Sequence, residues 1–248
     1  MDILKRSEKQ DEHSLLSDLS QQELSRRKFL RFSGLVGASA VVVGGAGLTG
    51  CKKDDDSSSN GTNLGSGDVG ILNYAYALEQ LEAAFYTQVV ANGSFTTNFS
   101  ALEQEYIKDV RDHEIAHREF FKAALGSNAI QALEVDFSSI DFSNRSSVLT
   151  TAKTFEDLGV AAYNGAGKLL VSTDYLTIAG KIVSVEARHA ALFRDLLSNG
   201  SFADLTSLQP LGADNAKGLD AALNPPDVLA AASSYIKTKI NASNLPTS

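Results

Sequence analysis

The sequence predicts an all-α protein whose core is an antiparallel four-helix bundle. Four segments of roughly 23–25 residues repeat apolar residues at helical spacing, which is typical of amphipathic helices. Short connections join the first segment to the second and the third to the fourth, so each pair is expected to form antiparallel neighbours. A stretch of roughly 20 residues separates the two pairs, and we expect it to be a single long crossover.

The first two helices are marked by signals at their ends. The first is predicted from about Val69 to Ala91, with Asp68 as its N-cap. The second is predicted over residues 101–125, because Ser100 and Glu103 have the spacing of a capping box.

The second pair of helices completes the bundle. We predict the third over residues 147–171 and the fourth over residues 174–198, so that the bundle covers residues 68–200. Beyond it, residues 201–248 are expected to be irregular except for one accessory helix, residues 227–240, which the pair Pro225-Pro226 would open.

The N-terminus has the pattern of an export signal. Arg26 and Arg27 precede an apolar, glycine-rich run and resemble a bacterial Tat signal. The run ends in Leu48-Thr49-Gly50-Cys51, which resembles a lipobox with Cys51 as the lipidated residue. An ordinary N-terminal membrane anchor is the alternative, because the run is nearly long enough to span a bilayer.

This interpretation divides the chain before the bundle into two parts. Residues 1–50 would be removed as a leader, together with His13, and residues 51–67, rich in charge, Ser, Asn and Gly, would form a flexible tether. The mature protein would then be anchored by lipid in the periplasm or on the surface of a Gram-negative bacterium.

Composition excludes several classes of protein. The net charge of −8 makes nucleic acid an unfavourable partner. With a single cysteine, the chain can form no internal disulfide. A hydrophobic content of 43% without repeated long apolar runs does not suit a multispan membrane protein.

The candidate functional residues form a pattern that occurs twice. In each copy a glutamate is followed seven residues later by a tyrosine, and a Glu-x-x-His motif follows on the next helix. The two copies supply four glutamates and two histidines as candidate metal ligands: Glu79, Glu114, His117, Glu156, Glu186 and His189.

The residue types suit a site for two metal ions. Residues three apart share one helix face, so the glutamate of each Glu-x-x-His motif can bridge two ions while the histidine binds one. Buried carboxylates are costly without partners, and two divalent cations would balance four of them. Oxygen and imidazole ligands favour iron or manganese, and we expect two such ions rather than haem.

Some roles remain open on the sequence alone. Glu82 lies one turn after Glu79 and could replace it as a ligand or support it. Tyr86 and Tyr163 could each donate a hydrogen bond to a ligand across the bundle or simply pack in the core. His113 is interpreted as a surface residue. The alternative for the glutamates is that they pair at the boundary with nearby basic residues: Lys108, Arg111, Arg118, Lys181 or Arg188.

Two stretches carry a family resemblance. Leu78-Glu79-Gln80-Leu81-Glu82-Ala83-Ala84-Phe85-Tyr86 and Phe155-Glu156-Asp157-Leu158-Gly159-Val160-Ala161-Ala162-Tyr163 resemble bacterial ferritin-like domain proteins, a group that includes plant desiccation-related proteins. The resemblance implies a ferritin-like fold and maps di-iron ligands onto the six candidate residues. It supplies no substrate.

Two functions are therefore considered. The first is an exported di-iron (or Fe/Mn) oxidoreductase that uses ferrous iron with O₂ or peroxide, as a ferroxidase or in stress defence. The second is a non-enzymatic metal-binding or stress-protective module of the cell envelope. A storage cage fits poorly with a lipid tether, whereas a homodimer is compatible with it.

Overall fold

The computed structural model describes residues 61–247 and confirms the all-α bundle. Its four long helices are α1 (Gly67–Ala91), α3 (Ala101–Leu125), α4 (Arg145–Gly167) and α5 (Thr173–Leu197). Helices α1 and α3 pack along each other as one hairpin, and α4 and α5 form the other. Contact between α1 and α4 joins the two hairpins.

The remaining elements are short. Helix α2 (Phe95–Asn98) lies within the connection between α1 and α3, and α6 (Pro225–Ala232) follows the bundle. Three 3₁₀ turns cover Gly126–Asn128, Thr206–Leu211 and Ser233–Tyr235. Strand β1 (Thr62–Asn63) pairs in parallel with β2 (Ile240–Asn241).

The ends of the helices agree with the sequence signals in part. Ser100 and Glu103 form the predicted capping box at the start of α3. Asp68, however, is not the N-cap of α1, because Ser66 occupies that position. The Asp68 carboxylate instead accepts hydrogen bonds from the backbone N–H groups of Val171 and Ser172, and so ties the start of α1 to the start of α5.

The crossover is held to α1 by a buried polar side chain, Asn73. The Asn73 side-chain amide donates to the carbonyl oxygens of Leu64 and Asn128, and its oxygen accepts from the backbone N–H of Ile130. The crossover also contributes three apolar side chains to the core, Phe137, Ile140 and Phe142. The crossover is thus held to α1 through its backbone and packs into the core through its side chains.

Two expected boundaries need correction. Residues 51–67 are not a flexible tether throughout, because β1 pairs with β2 and Leu64 is completely buried. The accessory helix predicted over residues 227–240 ends at Ala232, and the chain then continues through a 3₁₀ turn into β2. The domain therefore includes both its N-terminal approach and its C-terminal extension.

The predicted leader, the twin arginines and Cys51 lie outside the described residues. Across residues 61–247, none of the helices combines the length and the apolar character that a membrane span requires.

Candidate metal centre

The structure brings all six candidate ligands together in the middle of the bundle. All four glutamates are completely buried, and His189 is nearly so. Their ligand atoms form two groups, each with members within 4.8 Å of one another. The first group is Glu79, Glu114, His117 and Glu186, and the second is Glu114, Glu156, Glu186 and His189. Glu114 and Glu186 belong to both, as bridging ligands would.

The first group surrounds the His117 ring. Its Nδ1 lies 2.9 Å from Glu186 Oε1, 3.3 Å from Glu114 Oε2 and 3.5 Å from Glu79 Oε2. The glutamate that α1 contributes is thus Glu79, and Glu82 is not part of either group.

The second group surrounds His189 in the same way. Its Nδ1 lies 2.9 Å from Glu114 Oε1, 3.2 Å from Glu156 Oε2 and 3.7 Å from Glu186 Oε2. In both groups the histidine presents Nδ1 to the carboxylates. The two halves of the site are therefore nearly equivalent by geometry as well as by sequence.

These distances fit cations at the two positions. Metal–ligand bonds of about 2.1 Å that meet at right angles hold the ligand atoms about 3.0 Å apart. Several of the buried oxygens also lack a well-formed hydrogen bond among the described residues: Glu79 Oε2, Glu114 Oε1 and both oxygens of Glu186. Buried acceptors without donors are unfavourable, and a cation would satisfy them.

Electrostatics show how a metal-free site must hold protons. Burial, with the neighbouring carboxylates, raises the pKa of Glu79 and of Glu156 well above the usual range. Burial lowers the pKa of His117 and of His189, but contacts with the glutamates outweigh it and raise each to about 12. Burial also raises the pKa of Glu186, but contacts with the two histidines outweigh it and lower that pKa to about 2. Cations would have to displace several protons.

Two tyrosines connect the hairpins at the site. The Tyr86 hydroxyl of α1 donates to Glu156 Oε1 of α4, and the Tyr163 hydroxyl of α4 donates to Glu79 Oε1 of α1. Each bond orients a carboxylate that belongs to the opposite hairpin. A hydrogen bond of this kind fixes the direction of a ligand's remaining oxygen.

Glu82 is a fifth buried carboxyl beside the six ligands. Burial raises its pKa well above the usual range, and the charges of Glu186 and Glu114 add to this. Gly159 faces it, since a Cβ at that position would lie 3.1 Å from Glu82 Oε1. In the doubled pattern, Gly159 is the counterpart of Glu82, so the second copy leaves space for a carboxyl that only the first copy carries.

His113 was missed as a site residue. Its side chain is exposed, as expected, but its Nδ1 lies 2.9 Å from Nε2 of His189, and the two rings stack with centroids 5.2 Å apart. The His189 ring thus contacts His113 through Nε2, while its Nδ1 faces the carboxylates. At the matching place in the second copy the chain has Val185, so His117 has no histidine of this kind.

The boundary alternative for the glutamates is wrong. Arg111 pairs with Asp112, and Arg118 pairs with Glu119. Among residues 61–247, no lysine or arginine forms an ion pair with the site glutamates.

A buried ion pair next to the site was also missed. Arg194 of α5 contacts Asp157, with Nη2 2.7 Å from Oδ2, and both side chains are buried. Arg194 also donates to the carbonyl oxygen of Asp204 and to Ser207 Oγ. Because Asp157 follows Glu156, this network ties the C-terminal extension to the backbone of a ligand-bearing helix.

The fold and the site together define a class: a four-helix bundle with a buried carboxylate–histidine cluster that could hold metal ions. The chain matches the model of the ferritin-like domain family over residues 67–199 and belongs to that family. No curated protein matches it significantly.

Proposed function

We propose that the protein holds two iron ions, or one iron and one manganese, and oxidises ferrous iron with dioxygen or peroxide. The observation that carries this proposal is the pair of ligand groups that share Glu114 and Glu186. Two carboxylates common to both groups would hold two ions next to each other, so that two one-electron changes could be combined.

Charge supports the pairing of two ions. Four carboxylates contribute −4, two divalent cations contribute +4, and neutral imidazoles contribute nothing. The buried cluster is then neutral, which removes the cost of unpaired charges in an apolar interior. Imidazole and carboxylate ligands without a thiolate favour iron or manganese.

The reaction balances with the proposed substrates. Two ferrous ions supply one electron each, and dioxygen with two protons becomes hydrogen peroxide, or peroxide with two protons becomes two waters. The protein side chains keep the ligands in place during this change. Tyr86 and Tyr163 hold the terminal carboxylates, Glu156 and Glu79, through hydrogen bonds from opposite hairpins.

The first experiment measures metal content and reactivity on the same protein. Anaerobic titration with ferrous iron is expected to saturate at two ions per chain, and addition of dioxygen or peroxide is expected to give ferric absorbance. Glu114→Ala should lose both, because it removes a ligand of both ions. Glu105→Gln, an exposed glutamate on the same helix, is the matched control.

The outcomes separate the alternatives. Binding of two ions without oxidation by either oxidant would contradict the oxidoreductase and leave the non-enzymatic metal-binding module. Failure to bind iron at all would contradict the oxidoreductase, and the non-enzymatic alternative would then be a module without bound iron.

We also propose that the protein acts outside the cytoplasm, exported by the Tat pathway and anchored through lipidated Cys51. The order of Arg26-Arg27, the apolar run and Leu48-Thr49-Gly50-Cys51 supports this. Fatty-acid labelling and cell fractionation test it: Cys51→Ala should abolish incorporation of a labelled fatty acid, and Arg26→Lys with Arg27→Lys should retain the protein in the cytoplasm. Unchanged labelling of the first variant and unchanged fractionation of the second would refute it.

A further inference from the structure

The two halves of the site differ in how their surroundings are filled. Around Tyr86 the core contains Phe85, Phe155 and Phe193, and the Phe193 ring stacks on Tyr86 with centroids 5.7 Å apart. Phe137 and Phe142 of the crossover add further rings against Phe85. This half is closed by aromatic packing.

Around Tyr163 the corresponding positions are smaller. Counted along the doubled pattern, Ala162 takes the place of Phe85, Ala166 that of Val89, and Leu78 that of Phe155. Phe193 is the exception, because its counterpart on α3 is also a phenylalanine, Phe121. The ring centroid of Phe121 lies 6.4 Å from that of Tyr163.

The missing volume appears as an apolar pocket of about 30 Å³ between α1, α3, α4 and α5. Its inner wall is made of buried side chains that include Ala75, Leu78 and Ala162, while Phe120 and Tyr175 at its outer side are half-buried. Tyr163 lines the pocket, and its hydroxyl is bonded to Glu79. The Tyr163 side chain thus contacts both the pocket and a candidate metal ligand.

The size and chemistry of the pocket restrict what can occupy it. A water molecule needs about 10–15 Å³ of such volume, so the pocket has room for roughly two spheres of that size. Its walls are almost entirely apolar, and water requires two to four polar partners that this lining does not provide. Dry apolar cavities instead take up small apolar molecules such as xenon.

We propose that this pocket binds dioxygen and supplies it to the metal centre from the Tyr163 side. The inference rests on the proposed function, because it gives the pocket's occupant a reaction partner. It also gives the two halves of the site different roles. The aromatic-filled half around Tyr86 excludes small molecules, and the half around Tyr163 admits one.

The test combines a structural readout with a kinetic one. Crystals of the protein loaded with manganese(II) are pressurised with xenon, and xenon density is expected in the pocket. Ala166→Val copies the residue found at the matching place, Val89, and should abolish that density. The matched control is Val89→Ala, which changes the opposite half and leaves the pocket intact.

Rates then connect the pocket to the reaction. With ferrous-loaded protein at low dioxygen, Ala166→Val should slow oxidation roughly fivefold, the factor expected from losing the apolar contacts of a diatomic molecule. Oxidation by peroxide, which is polar, should be unchanged in Ala166→Val. Because the peroxide rate is measured on the same sample, a misfolded variant is recognised by the loss of oxidation by both dioxygen and peroxide.

The possible failures are distinguishable. Xenon absent from the wild-type pocket, or equal dioxygen rates in wild type and Ala166→Val, would overturn the pocket proposal while the metal chemistry stands. Wild-type protein that reacts with neither oxidant would overturn the proposed function, and the dioxygen supply with it, even if xenon binds.

Discussion

The contact between His113 and His189 predicts that the two metal positions differ in affinity. His113 Nδ1 lies 2.9 Å from His189 Nε2 and supports that ring on its outer side. His189 is also the less exposed of the two candidate histidine ligands, with 5% of its side chain accessible against 14% for His117. We therefore expect His113→Ala to weaken the position at His189 and leave the position at His117 almost unchanged.

The magnitude follows from what the substitution removes. A single net hydrogen bond is worth about 1 kcal/mol, or roughly a fivefold change in affinity. Loss of a group that orients a metal-bound histidine typically costs about 10- to 100-fold, because the ring must be held by its other contacts. We expect a weakening of about tenfold in one of two binding steps.

Anaerobic titration calorimetry with manganese(II) or ferrous iron resolves the two steps. Val185→Ala is the matched control, since Val185 precedes Glu186 as His113 precedes Glu114. His113→Gln, which keeps a hydrogen-bonding group, should recover part of the affinity. Equal weakening of both steps, or no change in either, would refute the reasoning.

Three further predictions concern protons, space and a buried ion pair. Because burial raises the pKa of several site glutamates and both histidines hold protons, metal affinity should fall as pH falls, and metal binding in weakly buffered solution should release protons. Gly159→Ala should displace the Glu82 carboxyl and destabilise the protein. Glu82→Ala should relieve this in the double variant, so that the two changes in the free energy of unfolding, measured with denaturant, are not additive. Arg194→Ala removes the buried one of the two cations that pair with Asp157, and Lys153 remains as the other, so the free energy of unfolding should fall by about 1–3 kcal/mol. Arg111→Ala, at an exposed pair, should change it by less than about 1 kcal/mol.

Much of the fold could be predicted because its signals are local. Helix periodicity, the capping box at Ser100 and the lengths of the connections are read along the chain, and together they determine the two hairpins. The convergence of the six candidate ligands could be predicted because the doubled spacing places each glutamate and histidine on a known helix face.

What could not be predicted depends on contacts between distant segments. His113 contacts His189 only because α3 and α5 meet at the site, and no periodicity reports that meeting. Strands of two residues, such as β1 and β2, have no alternation to detect, so the ordered approach to α1 resembled a tether. The buried Asp157 looked like any polar residue until its partner from α5 was known.

The near-equivalence of the two halves has a practical consequence for tuning such a site. Because the candidate ligands and their tyrosines are the same in both copies, any difference in behaviour between two bound ions would come from unmatched pairs. These pairs include Glu82 with Gly159, His113 with Val185, Phe85 with Ala162, and Val89 with Ala166. Exchanging the members of a pair would change the surroundings of one metal position without changing a candidate ligand. Each hairpin thus provides the control for a substitution made at the matching position of the other.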